Sequence, residues 1–231
     1  MRSIAYKMSG IINGVDYTVY NPAHDELIDV TYNRVTYKKG KNANKVALQR
    51  TLGLPQREDV PMFAFVSRMV DQKGLDLLLP VTEDLLQHDI QIVVLGTGEL
   101  RYEHAFKEIA SRHPDRMSAC IFFDNTLAHR VYAAADFVLL PSLFEPCGLT
   151  QLIALKYGAV PIVRETGGLL DTVKSYNEET GEGNGFSFAP LSSADLEYTI
   201  NRAIDFYYNR NKIYRTIQRF VMGQDFSWKE S

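Results

Sequence analysis

Arg68 and Lys73 stand five residues apart in Ser67-Arg68-Met69-Val70-Asp71-Gln72-Lys73-Gly74, and a glycine follows the second cation. Two cations beside free helix-start N–H groups form a diphosphate site, because the amides and the helix dipole both favour anions. Thr166-Gly167-Gly168 adds amides that a phosphate can approach closely, since glycine has no side chain in the way. Glu145, in Pro141-Ser142-Leu143-Phe144-Glu145-Pro146-Cys147-Gly148, is an acid suited to accept from sugar hydroxyls. Phe123, ahead of Asp124-Asn125, offers an aromatic face to a base, and Gly96-Thr97-Gly98-Glu99 is a further glycine turn. Taken together, these groups describe a nucleotide-sugar pocket.

The residues act together only if the fold gathers them, and the apolar pattern says that it does. Short apolar runs read as strands at Met62–Val66, Ile90–Leu95, Ala119–Phe123, Phe137–Leu140, Val160–Val163 and Gly185–Phe188. Helical periodicity falls between them, at Gly74–Gln87, Glu99–Arg112, Leu127–Ala135, Leu149–Tyr157 and Leu169–Tyr176, then at Ala194–Tyr208 and Asn211–Phe220. Strands alternating with helices predict an α/β fold, a Rossmann-like parallel sheet with helices on both faces. Right-handed crossovers bring every strand-to-helix loop to one sheet edge, where such folds bind ligands. Residues 1–60 are polar, with turns at Asn13-Gly14 and Asn21-Pro22 and one helix at Asn42–Leu52 ending at Gly53. They are expected to form an interdomain arm and linker helix ahead of a domain at 61–231.

Each residue also has a plainer account. Arg68 and Lys73 suit solvated surface cations, Glu145 an early-turn acid and Phe123 a core residue. Gly96 and Gly98 suit a turn, Cys147 a packed thiol and His129 a packing or helix-surface residue. Their convergence on one edge is what favours the functional account.

Composition narrows the field. The 231 residues carry 25 Lys+Arg against 28 Asp+Glu, a formal charge of -3. Together with a pI near 6.0, this excludes a strongly basic binder of nucleic acid or anionic membrane. Apolar runs are far shorter than the ~20 residues of a membrane span. No basic-then-apolar start marks a secretory signal, and two cysteines are too few for a disulfide framework, so a cytoplasmic setting is expected. Gly96-Thr97-Gly98-Glu99-Leu100-Arg101 lacks the third glycine of a dinucleotide fingerprint and the Gly-Lys-Ser/Thr ending of a P-loop. With no Cys/His cluster at zinc spacing and no Asp-x-Asp pair, the expectation is no metal and no cofactor, the positive charge coming from Arg68 and Lys73.

The segments Phe65–Asp76, Glu145–Leu152 and Arg164–Val173 resemble the bacterial and plant glycogen/starch synthases of glycosyltransferase family 5. Ile12–Asp16, Tyr20–Pro22, Ala128–Arg130 and Asp225–Trp228 fit the same family in order. The resemblance implies the C-terminal, nucleotide-sugar half of a GT-B enzyme that transfers glucose from ADP-glucose to an α-1,4-glucan with retention. It gives Arg68 and Lys73 the diphosphate, Glu145 the donor glucose, Thr166-Gly167-Gly168 a phosphate, and Phe123 a place near the base. Gly148, Leu149 and Thr150 would offer helix-start amides to the nucleotide, with Gly96 beside them. It implies ADP or ADP-glucose as ligand and a cytoplasmic location, plastidic in a plant.

Two departures stand out. The second glutamate of the wider retaining group, eight residues after the first, is replaced by Ile153. The family's Lys-x-Gly-Gly-Leu motif and its acceptor-binding half are absent, as is the helix expected after Trp228. The expectation is therefore an excised domain or partial gene product, inactive alone and meeting glucan through the missing N-terminal domain. The alternative is a non-catalytic nucleotide-binding or glucan-associated remnant of a synthase.

Overall fold

The computed structural model describes residues 13–229, so Ile12 of the family-like segments lies outside the described residues. Six strands form the sheet: β1 (Met62–Val66), β2 (Gln91–Leu95), β3 (Met117–Cys120), β4 (Phe137–Leu140), β5 (Val160–Arg164) and β6 (Phe186–Phe188). Their order is β3-β2-β1-β4-β5-β6, every pairing parallel. The helices are α1 (Tyr37–Leu52), α2 (Leu75–Leu85), α3 (Leu100–Arg112), α4 (Asn125–Ala134), α5 (Thr150–Lys156), α6 (Gly167–Thr172), α7 (Ser193–Tyr208) and α8 (Asn211–Val221).

A sheet covered on both faces needs apolar side chains on both, so the strands read as continuous apolar runs rather than alternations. The central strands meet that demand: Phe63, Ala64 and Phe65 of β1 are buried, and Phe63 stacks on Phe137 of β4 at 4.8 Å. Strand order runs outward from β1 through β2 to β3, then returns to β4 and runs the other way. Helix α2 packs with α3 and α7, while α1 packs with α4 and α5 with α6. The reversal opens a crevice between the loops that follow β1 and β4, the place where open α/β sheets take ligands.

The structure moves three expected boundaries by three residues or more. The strand expected at Ala119–Phe123 is β3, which ends where Cys120 pairs with Leu95. Phe122 and Phe123 leave the sheet because Asp124 caps α4, its carboxylate accepting from the Leu127 amide at 2.8 Å. The helix expected at Leu169–Tyr176 stops at Thr172, since the Tyr176 amide donates to the Gly185 carbonyl at 2.8 Å. Helix α1 starts at Tyr37 rather than Asn42. Its first turn is polar and holds Gly40, where a Cβ would run into the Tyr32 side chain.

The described part of the 1–60 segment packs onto the body. Lys41 is buried and donates to the carbonyls of Tyr132, Ala133 and Tyr157 at 3.3, 3.1 and 3.0 Å, at the C-terminal ends of α4 and α5. Lys45, also buried, pairs with Asp136 at 2.5 Å. The Tyr32 hydroxyl donates to the Tyr157 carbonyl at 2.8 Å.

Candidate functional site

The site is assembled by loops that touch backbone to backbone. The β1–α2 loop is locked to the β2–α3 loop: the Met69 amide donates to the Thr97 carbonyl at 2.8 Å and the Glu99 amide to the Met69 carbonyl at 2.7 Å. It is also locked to the loop after β4, where the Leu143 amide donates to the Gln72 carbonyl at 2.9 Å. Gly74 makes that approach possible, at φ +72° and with a Cβ position that would collide with the Pro141 carbonyl. On the other side, the Gly168 amide donates to the Glu145 carbonyl at 3.0 Å. Gly167 sits at φ +46°, and a Cβ there would strike the same carbonyl.

Glu145 is thereby fixed at the reversal of the sheet. Its Oε2 lies 2.5 Å from the Lys73 ammonium, with the two side chains 10% and 17% exposed. The Ser142 hydroxyl donates to the same oxygen at 3.4 Å. The loop carrying Glu145 is braced from outside: Arg164 donates to the carbonyls of Ser142 at 2.8 Å and Leu143 at 2.5 Å, and Gln72 donates to the Phe144 carbonyl at 2.9 Å. An ammonium has three protons to donate. Glu145 takes one, and the others stay available to an anion.

The loops that carry this pair also border a cleft of about 340 Å³, lined among others by Arg68, Gly96, Phe123, Leu149 and Thr150. Arg68 is exposed; its carbonyl accepts from the Val70 amide at 3.2 Å, while its guanidinium makes no hydrogen bond or ion pair with any described residue. Phe123 is 87% exposed, so it is not a core residue. Ile153, in place of the second glutamate, lines the same cleft while 6% exposed, which makes part of the floor apolar. Gly148, at φ +75°, turns the chain into α5.

The predicted residues thus fall into two adjoining groups. Arg68, Gly96, Phe123, Leu149 and Thr150 share the cleft, while Lys73, Glu145, Gly167 and Gly168 meet at the joint of three loops. Thr166 is the N-cap of α6. One expectation changes: the Gly168 amide is already engaged by Glu145, so Gly168 joins two loops instead of offering that N–H to a phosphate. Among described residues the Thr166 and Gly167 amides have no such partner. Cys147 is half-buried, its sulfur accepting from the Asn13 amide at 3.2 Å, and His129 is a buried packing residue.

Sequence reasoning passed over Arg164 and Gln72, whose roles lie in carbonyls across the loop, and Tyr20, which reaches the cleft from the segment ahead of α1. All three lie in segments that resemble the family, but nothing in the local pattern gives them these roles. Among the described residues no group of three or more His, Cys, Asp or Glu is placed to hold a metal ion, and no helix is long and apolar enough to cross a membrane.

Residues 53–219 match the family described as "Glycosyl transferases group 1". The chain is 54% identical over 225 residues to a protein named glycogen synthase from Desulforamulus reducens, covering 97% of this chain and 46% of that one. It is 48% identical over 231 residues to another of that name from Bacillus cereus strain Q1, covering 100% and 48%. The catalytic domain of starch synthase IV from Arabidopsis thaliana, solved bound to ADP and acarbose, superposes with a TM-score of 0.92 at 33% identity, covering 99% of this chain and 48% of that one. The chain spans about half the length of the curated relatives it matches.

Proposed function

This chain belongs to the glycosyl transferases group 1 family, and from that premise we propose that it is the donor-binding half of a glycogen/starch synthase-type enzyme. Its reaction is retaining transfer of glucose from ADP-glucose to the non-reducing end of an α-1,4-glucan. The observation that carries this is the Lys73–Glu145 pair, seated where the strand order reverses and adjoining a cleft that Arg68 enters. The ADP bound to the Arabidopsis starch synthase domain supports adenine as the base.

As the bond from glucose to the diphosphate breaks, negative charge builds on the leaving group and positive character on the sugar. Arg68 and the free protons of Lys73 meet the first, each worth roughly 3 kcal/mol on the scale of preorganised electrostatic catalysis. Glu145, fixed through Lys73 and through its own carbonyl, holds sugar hydroxyls and so orients the ring, a proximity effect. The proposal calls for no metal and no cofactor. It assigns the glucan to the acceptor-binding half of the enzyme and places the reaction in the cytoplasm.

Calorimetric titration of the 231-residue chain with ADP, UDP and ADP-glucose tests the reading, with an Arg68→Ala/Lys73→Ala variant alongside. Adenine ligands should bind, the double variant should lose them, and the chain alone should not elongate glucan. Equal binding by the variant would remove the diphosphate role.

A further inference from the structure

One wall of the cleft comes from none of the strand-to-helix loops. Tyr20 precedes α1, yet lines the same cavity as Arg68, Phe123 and Thr150. Its ring lies flat on His129, with centroids 4.7 Å apart and planes 17° apart. His129 is 1% exposed, and its Nδ1 is 2.8 Å from Asp25 Oδ2. The Tyr157 hydroxyl donates to that same oxygen at 2.5 Å, and the Tyr157 ring stands edge-on to His129 at 6.4 Å. A carboxylate only accepts, so Nδ1 carries the proton and the imidazole plane is fixed.

A line of contacts therefore runs from the interior, through Tyr157, Asp25 and His129, to a half-buried ring facing the cleft. Phe123 is the opposite case: it stands on a loop and has no ring partner among the described residues. A ring whose orientation is already set loses little freedom when a flat ligand settles on it, so it contributes more to binding than a mobile one. The Tyr20 hydroxyl makes no hydrogen bond with a described residue, which leaves the face of the ring as its working part.

We infer that Tyr20 is the fixed aromatic wall of the nucleoside subsite, a positioning and specificity-determining residue whose plane is held by His129 and Asp25. The inference rests on the donor-site reading above. It makes the segment ahead of α1 part of the site.

The test is calorimetry on the 231-residue chain with two probes, ADP and inorganic pyrophosphate, the second reporting the phosphate grip without a base. Tyr20→Ala should weaken ADP by roughly 5- to 150-fold, the range of aromatic–base stacking, and leave pyrophosphate within about twofold. Tyr20→Phe should restore ADP binding, because the face and not the hydroxyl is used. His129→Ala should copy Tyr20→Ala, and His129→Phe should recover part of the loss by rebuilding a flat support. Should His129→Ala fail to fold, half-buried Tyr20 still decides the matter. Unchanged ADP affinity in Tyr20→Ala, or an equal loss of ADP and pyrophosphate, overturns the inference while the donor site stands. A wild-type chain that takes neither probe at millimolar concentration overturns the donor-site reading and this inference with it.

Discussion

The two edges of the sheet use the same chemical parts in opposite ways. At the edge where the strands begin, Lys45 and Asp136 are both buried and 2.5 Å apart. Asp136 also accepts from the Met62 amide at 2.9 Å and the Tyr214 hydroxyl at 3.0 Å, and the neighbouring Lys41 is enclosed by three carbonyls. At the edge where the strands end, Lys73 and Glu145 are also 2.5 Å apart, but neither is fully covered, and the guanidinium of Arg68, in the same loop as Lys73, has no described partner. A lysine–carboxylate pair is therefore no guide to function by itself. What marks the site is polar capacity left over after the protein has used its share.

The largest effect should come from breaking the closed pair. Lys45→Met leaves Asp136 charged in the interior, and removing one partner of a buried pair costs about 3–5 kcal/mol. A urea unfolding curve should show that loss. A midpoint within 1 M of wild type would mean that the carboxylate is already satisfied by Met62 and Tyr214.

Lys73→Met is the matching change at the open edge, and the two variants should separate stability from activity. In the two-domain enzyme Lys73→Met should lower turnover about 10²- to 10³-fold, as loss of one preorganised donor does. Its unfolding midpoint should move less than that of Lys45→Met, because Glu145 keeps access to water. A variant that unfolds early yet turns over normally would reverse the contrast.

Gly167→Ala should fall below both. A side chain at φ +46° is strained and would push against the Glu145 carbonyl, so a loss of about 1–3 kcal/mol is expected, with a weaker grip on the donor sugar. Thermal melts and the KM for ADP-glucose report the two parts. A normal melt with a normal KM would show that the joint between these loops bears no strain.

Much of the open edge was legible in sequence because its parts are local. Arg68, Lys73 and Glu145 lie in loops bounded by apolar runs, and the alternation of strand and helix is enough to bring those loops together. The closed edge was not legible. The helix expected at Asn42–Leu52 left Lys41 outside it and gave Lys45 no role, and only the packing of α1 on α4 reveals that the Lys41 ammonium finishes the carbonyl ends of α4 and α5 while Lys45 meets Asp136. The strand expected at Ala119–Phe123 ran too long, because the cap at Asp124 turns Phe122 and Phe123 out of the sheet. Tyr20 falls in a family-like segment, yet nothing local marks its place in the cleft, since its partner His129 is distant in the chain.

The last effect concerns Lys41, and it sharpens the contrast through pH. Burial pushes its ammonium down to about 7 from an ordinary 10.5, against the pull of Asp136 and with Lys45 and Arg215 adding to the depression. Between those two values the unfolded chain binds more protons than the folded one, so stability should rise with pH there. Below pH 7 both states are protonated and the cost is constant. One proton limits the slope to about 1.4 kcal/mol per pH unit. Urea midpoints of wild type and Lys41→Met at pH 6, 7, 8 and 9 isolate the contribution: the wild type should gain on the variant from pH 7 upward and run parallel below it. A difference independent of pH would mean that the carbonyl cage keeps the ammonium charged across this range.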